Sequence, residues 1–491
     1  MSKFHSVVTR RDFMKGLGLA GMGLGAASAT APIFHDLDEL VASADSQFKR
    51  EWWVKEREYL DPTVEVDWDI LDFGKPFCPP IGQYMNPNTP QIMERRIKRK
   101  KEGMLAQVPG DRLQDMALQE TYEKLMHAYM GWPPKFDQTT TFNFGFPTQG
   151  IGVNTPAYYG VPRWEGTPEE NLKLIRAAMH FFGSSQAFVT EVNSRTRRLF
   201  SPVSPLRWED TPMPYQDNGV NVIPNKVGWE ISCTIKQNNV TAASMTKVAE
   251  SGPTKGYTPH FQAATCYAGY CDHYPLAYKL QFFLVALGYI GIPEWGAPND
   301  LVSTLAVPWG VLGGTGELCR ETIICSPEYG TNIRRPVTMF TDLPLAPTKP
   351  IDSGIMEFCR TCMICADGCP SQALSREKDP TWDIFMAPDG TPVNRPGLRA
   401  YRCDIVAASE YGCPFDCDRC QGVCPFNHDK TASIHSMIRA TAGNTTMFNS
   451  FFANMEKYTY PAKDWDMDAW WNRDLNNWSG DVLVGFQQKG W

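Results

Sequence analysis

"FCRTCMICADGCPSQAL" (358–374) sets cysteines at 359, 362, 365 and 369, the last followed by Pro370. Thiolates spaced by two residues on a tight turn reach neighbouring corners of an iron–sulfur cubane, and the proline then redirects the chain. Zinc is the alternative for bunched cysteines. It favours two separated C-x2-C pairs, whereas this run has a third cysteine and a Cys-Pro end. A second set, "CDRCQGVCPFN" (417–427), adds Cys417, Cys420 and Cys424 and again closes on Cys-Pro.

The first run has the C-x2-C-x2-C-x3-C-P spacing of bacterial two-cluster ferredoxins, whose fourth cysteine serves the other cluster. The expected ligands of the first [4Fe–4S] cluster are Cys359, Cys362, Cys365 and Cys424. Those of the second are Cys369, Cys417, Cys420 and one cysteine upstream, Cys403 or Cys413. Cys403 is favoured, because Cys413 stands close before Cys417 and leaves little chain to reach a new corner. Two cubanes in one chain make an electron wire, and 491 residues greatly exceed a ferredoxin. The electrons' destination should lie ahead of the clusters.

Composition narrows the class. With 43% hydrophobic residues the chain can bury a large core of two or three structural units. A net charge of −7 and 21% charged residues exclude a disordered polyampholyte and a basic nucleic-acid binder. "ERRIKRKKEG" (94–103) is a local exception, read as a solvated helix face or a docking patch. Fifteen cysteines would suggest disulfides in an exported protein, but eight of them are bunched in the Cys-Pro clusters, which points to metal.

Export itself is read from the N-terminus. Arg10-Arg11-Asp12-Phe13-Met14-Lys15 precedes a glycine-rich apolar run from Leu17 to Ala31, the form of a Tat signal, with cleavage expected after Ala31 or Ala44. That run is too short for a membrane span, and no later stretch reaches the necessary length. Attachment to the outer face of the cytoplasmic membrane would therefore need another subunit.

The expected organisation is a signal (1–44), an N-terminal unit (45–150), a layered α/β unit (151–345), the cysteine module (346–435) and a Trp-rich tail (436–491), read as a packed strap or a pocket wall. "TPEENLKLIRAAMHFFG" reads as a helix capped by Thr167 and Glu170 and ended by Gly183, and "SQAFVTEV" as a strand. "PLAYKLQFFLVALGY" reads as a second helix with Pro275 in its first turn, and the prolines of 341–354 mark a boundary. No flavin or nicotinamide fingerprint follows a strand, and no D-x-H-x-x-G offers a histidine to cobalt. From the residues alone this is an exported iron–sulfur oxidoreductase with a second centre unassigned.

The Tat signal, the block "GTGELCRETIICSPEYGTNIRRPVTMFTDLPL" (314–345) and the two cluster motifs together resemble the corrinoid-dependent respiratory reductive dehalogenases. The resemblance implies an α+β, nitroreductase-like corrinoid domain followed by a ferredoxin-like module. It implies a base-off cobamide without a protein ligand on cobalt, a chlorinated hydrocarbon as substrate, a small membrane-anchor subunit, and a quinone- or hydrogenase-linked donor. It also implies a tyrosine proton donor with a basic neighbour and an asparagine shaping the pocket. A free phenol, with a pKa near ~10, is a poor acid, and an adjacent guanidinium stabilises the tyrosinate. Tyr270, Tyr267 and Tyr274 are the candidates, Tyr270 preferred for its spacing from Tyr289; Arg320 of "GELCR" is the basic residue and Asn299 the amide. Epoxyqueuosine reductases share the corrinoid unit and clusters but are cytoplasmic, and a plain exported electron carrier is the non-enzymatic alternative.

Overall fold

The computed structural model describes residues 48–69, 89–130, 141–144, 151–294, 304 and 306–473. Within these, 185, 201–205, 219, 247–251, 383–384, 387–391, 394–396, 410, 412, 414–416, 428–432 and 460–465 are excepted. The signal segment, Asn299 and the last part of the tail lie outside the described residues. From Arg50 onward the chain forms one compact unit.

Its main elements are α1 (Thr89–Leu105), α2 (Leu113–Met130), α3 (Pro168–Phe182), β1 (Ala187–Glu191), β2 (Trp229–Lys236) and α4 (Phe261–Leu287). Next come β3 (Ile292–Pro293), α5 (Ala306–Gly313), β4 (Glu317–Leu318), β5 (Ile324–Cys325) and β6 (Ile333–Thr341). The cysteine-rich part contributes α6 (Ile355–Cys359), α7 (Ile364–Gly368) and α8 (Arg419–Gly422), and α9 (Ser433–Asn444) and α10 (Asn449–Thr459) follow.

The central sheet has the order β1-β2-β6-β3 and every pairing in it is antiparallel. Phe188, Val189 and Thr190 are successive and all buried, so both faces of the sheet are covered and the strands read as near-continuous apolar runs. The architecture is therefore α+β in three layers. Alternating helices and strands reveal layers but not strand direction, which is why an α/β reading was equally open.

The α3 helix forms as its sequence dictates. Thr167 Oγ1 accepts from the Glu170 amide at 3.2 Å, the Glu170 carboxylate accepts from the Thr167 amide at 2.8 Å, and Gly183 closes the helix at φ 106°. Removing the capping hydroxyl with Thr167→Ala should lower stability by about 1 kcal/mol in denaturant titration, with no change in bound iron.

α4 corrects the expected boundary. It begins at Phe261 rather than near Pro275, which sits in the helix interior. A proline there removes the bond to the Cys271 carbonyl and costs about 3 kcal/mol. Burial of Phe261, Tyr267, Leu276, Leu280 and Leu284, each contributing about 1.5–3 kcal/mol, offsets that loss.

The basic run on α1 is divided: Arg95, Lys98 and Lys101 are exposed, whereas Arg96, Arg99 and Lys100 are engaged inside the molecule. Arg96 pairs with Glu123 at 3.5 Å, and Lys100 pairs with Glu120 at 3.5 Å and Glu123 at 3.9 Å, binding α1 to α2. Buried Arg99 lies 3.9 Å over the Tyr257 ring and 3.1 Å from His260 Nε2, while His260 Nδ1 sits 2.8 Å from Asp111.

The described tail segment 466–473 packs as a strap against α2 and α4. Trp470 meets Phe261 with ring centroids 4.7 Å apart, and Trp471 Nε1 donates to Asp115 at 2.7 Å. No helix among the described residues is long and apolar enough to cross a membrane.

Candidate active site and cluster module

The first cysteine set converges around the end of α6, the turn after it and the start of α7. Cys362, Cys365 and Cys424 are buried, Cys359 is partly so, and Cys359 and Cys365 each lie beside Cys362 and Cys424. Burial pushes the thiols of Cys359 and Cys365 up. Cys424 moves down, first because Cys325 hydrogen-bonds it. An all-thiol, apolar-walled set of four is the donor chemistry a cubane takes.

The second set gathers five sulfurs. Cys369, Cys403 and Cys420 pack around Leu374 and Ala366, and Cys413 lies beside Cys417, Cys403 and Cys369. The structure thus brings both Cys403 and Cys413 to the same place. Glu321 is buried between the sets, within hydrogen-bonding reach of Cys424 and Cys420, and burial raises its carboxyl. Among the described residues no three Cys, His, Asp or Glu side chains converge tightly enough for a single metal ion.

The hairpin β4–β5 fastens this module to the sheet domain. Glu317 accepts from the Ser353 amide (3.0 Å), the Ser353 hydroxyl (2.7 Å) and the Ile355 amide (2.9 Å) at the start of α6, which carries Cys359. Asn427, just after Cys424-Pro425, accepts from the amides of Thr331 (2.6 Å) and Asn332 (3.1 Å). Gly330 is required between them: its φ is +63°, and a Cβ there would lie 2.4 Å from the Phe426 carbonyl oxygen.

Arg320 belongs to the same fastening. Its guanidinium is fully buried, 3.9 Å over the Tyr401 ring. Nε and Nη2 donate to the Cys359 carbonyl (3.1 and 2.6 Å), and Nη1 donates to the carbonyls of Ser375 (2.7 Å) and Glu377 (2.9 Å). This corrects the expectation that Arg320 serves as the guanidinium beside the tyrosine, since its donors are spent on the cluster module.

The guanidinium set over Tyr270 is that of Arg334 on β6, 5.0 Å from the ring centroid. Arg334 Nη2 also donates to Cys266 Sγ at 2.8 Å and to Asp418 at 3.2 Å, between the cluster residues Cys417 and Cys420. Burial opposes its charge, but Cys266, Asp418 and Tyr270 together hold its pKa above the ordinary guanidinium value. Cys266, Gly269 and Tyr270 share one face of α4, and a Cβ on Gly269 would fall 2.7 Å from Arg334 Cγ. Glycine is what lets the arginine cross the helix. Of the other candidate tyrosines, Tyr267 is 2% and Tyr274 7% exposed, whereas Tyr270 is half-buried.

Beside this pair are polar groups without protein partners. The side-chain oxygen and nitrogen of Gln237, and Arg334 Nε, are buried with no hydrogen-bond partner, and so are those of Gln262 two turns earlier on α4. Gln237 adjoins Gly269, its Cγ 3.6 Å from where a Cβ would stand. Native interiors rarely leave such groups unpaired, so a water or a polar ligand is the natural partner.

Residues 358–427 match the 4Fe-4S double cluster binding domain, and residues 49–201 match the reductive dehalogenase subunit family. The chain is 30% identical to a chloroethene reductive dehalogenase of Dehalococcoides mccartyi (strain VS), over 96% of this chain and 98% of that one. The chain belongs to the reductive dehalogenase family. A trichloroethene reductive dehalogenase of D. mccartyi (strain ATCC BAA-2266 / KCTC 15142 / 195) is 28% identical over 96% and 97% of the two chains. A solved reductive dehalogenase, whose structure is described as suggesting a mechanism for B12-dependent dehalogenation, shares the fold at TM-score 0.53 and 14% identity. It aligns with 83% of this chain, which spans about half the length of that protein.

This reductive dehalogenase is thus an oxidoreductase acting on carbon–halogen bonds and carrying a double 4Fe-4S module. Sequence reasoning missed Arg334, although it stands in the block that carries the resemblance. The signal was Gly269 immediately before Tyr270: a glycine inside a long helix marks a close neighbour, here Arg334.

Proposed function

We propose that this dehalogenase is the terminal reductase of organohalide respiration, replacing chloride by hydrogen on a chlorinated hydrocarbon. The names of its D. mccartyi relatives favour chloroethenes. Per turnover, two electrons and one proton enter, the carbon–chlorine bond breaks, a carbon–hydrogen bond forms and chloride leaves. The observation that carries the reading is the Tyr270–Arg334 pair, set beside unpaired buried amides and joined to the second cysteine set through Asp418.

A base-off corrinoid is the proposed second centre, and the residues fit it: the unpaired amides of Gln237 and Gln262 complement the amide-bearing rim of a corrin. When bound it supplies a strongly reducing metal for carbon–halogen cleavage. Tyr270 Oη donates the proton, Arg334 stabilises the tyrosinate left behind, and Asn299 helps shape the pocket. Cys359, Cys362, Cys365 and Cys424 hold the first cluster, and Cys369, Cys403, Cys417 and Cys420 the second. Anaerobically purified enzyme should contain cobalt besides iron and release chloride from chloroethenes with a strong reductant. Iron without cobamide would overturn the reading.

The twin arginines support export by Tat to the outer face of the cytoplasmic membrane, where an integral-membrane subunit would hold the enzyme and a quinone- or hydrogenase-linked donor would feed it. For the open ligand, Cys413→Ser should retain about eight irons per chain, four for each cubane, whereas Cys403→Ser should fall to about four. The reverse pattern would assign the place to Cys413.

A further inference from the structure

Arg334 stands at an irregularity in β6. It pairs with Ile235, whereas Val337 pairs with Cys233, so the strand takes up one extra residue against β2 between these positions. A bulge of this kind re-aims the side chains beside it. The guanidinium that arrives over Tyr270 makes its hydrogen bonds through one nitrogen: Nη2 donates to both Cys266 and Asp418, and Nε is buried without a partner. The ring contact, 5.0 Å from the guanidinium carbon to the Tyr270 centroid, does not by itself fix the tilt of the group.

The two acceptors belong to different parts of the molecule. Cys266 stands on α4 one turn before Tyr270, 1% exposed, and its Sγ accepts at 2.8 Å. Asp418 directly precedes α8 in the cluster module and accepts at 3.2 Å. Asp418 therefore draws Arg334 toward the cluster module, and Cys266 holds the same nitrogen to the helix that carries the tyrosine. Without the sulfur, Asp418 is the one polar anchor left, and the long arginine side chain is free to follow it away from Tyr270.

We propose that Cys266 is a positioning residue, whose sulfur keeps the Arg334 guanidinium over the Tyr270 ring. The proposal rests on the reading above in which Tyr270 gives the proton and Arg334 stabilises the tyrosinate. Cys266 transfers no proton; it acts through Arg334.

The test is steady-state chloride release by the holoenzyme, on preparations whose iron and cobalt have been counted. Cys266→Ala and Cys266→Val both remove the acceptor, one leaving space and the other filling it, so a folding failure in either leaves the other to decide. Each should keep its metals, lower kcat by about 10-fold and leave KM unchanged, a fraction of the roughly 100- to 10,000-fold that a positioned general acid contributes. Cys266→Ser, which keeps an acceptor, should recover part of kcat although serine fills the space less well than valine. In an Arg334→Met background, Cys266→Ala should lower kcat no further, because the two residues act as one. Metal-replete Ala and Val variants with wild-type kcat would overturn the proposal alone, and so would an undiminished effect in the Arg334→Met background. Loss of metals in both variants would overturn it too, since that is the result of a packing role. Full activity in Tyr270→Phe would overturn the proton-donor reading as well.

Discussion

Tyr270→Phe leaves the iron and cobalt contents of the purified enzyme unchanged and lowers chloride release by about 100- to 10,000-fold, the range a positioned general acid contributes. The substitution is a clean one because phenylalanine keeps the ring that lies 5.0 Å under the Arg334 guanidinium, so the packing of α4 against β6 survives. Only the hydroxyl is lost, and with it the proton source. Tyr267→Phe is the matched control, because that ring is almost wholly enclosed in the core at 2% exposure and should lose little activity. The measurement is chloride release with excess chemical reductant and chloroethene, on enzyme whose metals have been counted. Full activity in Tyr270→Phe would remove this tyrosine from the mechanism, and loss of activity in Tyr267→Phe instead would move the role one helical turn along α4.

How far the sequence led differs between the two halves of the molecule. The cysteine module was legible because a cubane constrains ligand spacing locally: three thiolates on one turn and a Cys-Pro exit are a pattern within a dozen residues. The α3 helix was legible for the same reason, since Thr167, Pro168, Glu170 and Gly183 act on their own neighbours. What escaped were relations between distant segments. Pro275 signals a helix start by local rules, yet α4 runs through it because burial along its whole length outweighs one missing hydrogen bond. Cys403 and Cys413 could not be separated because the fold brings both to one place. That Arg334, and not Arg320, meets the tyrosine depends on which strand crosses Gly269 and which hairpin reaches the cluster module. Neither relation has a period or a spacing that a one-dimensional reading can detect. The buried amides of Gln237 and Gln262 were likewise invisible, because an unpaired group is defined only once every neighbour is in place.

Arg320→Met should lose about half of the bound iron, the spectrum of the first cluster and, with them, dehalogenation. Methionine fills much of the space but leaves the carbonyls of Cys359, Ser375 and Glu377 without their donor. An orphaned acceptor costs up to about 1–3 kcal/mol where it is shut off from water, and less at the exposed Glu377, against a total stability of about 5–15 kcal/mol for a typical domain. The Cys359 carbonyl is the one that matters most, because it fixes the backbone of a proposed cluster ligand. Arg320→Lys should fail nearly as completely: one ammonium cannot span carbonyls at residues 359, 375 and 377 in the way a planar fork does. The iron count separates this account from a catalytic one. If Arg320 acted on the tyrosine, the methionine variant would retain both clusters and lose only turnover. Full iron content with selective loss of activity would therefore return Arg320 to the proton-donating site and displace Arg334 from it.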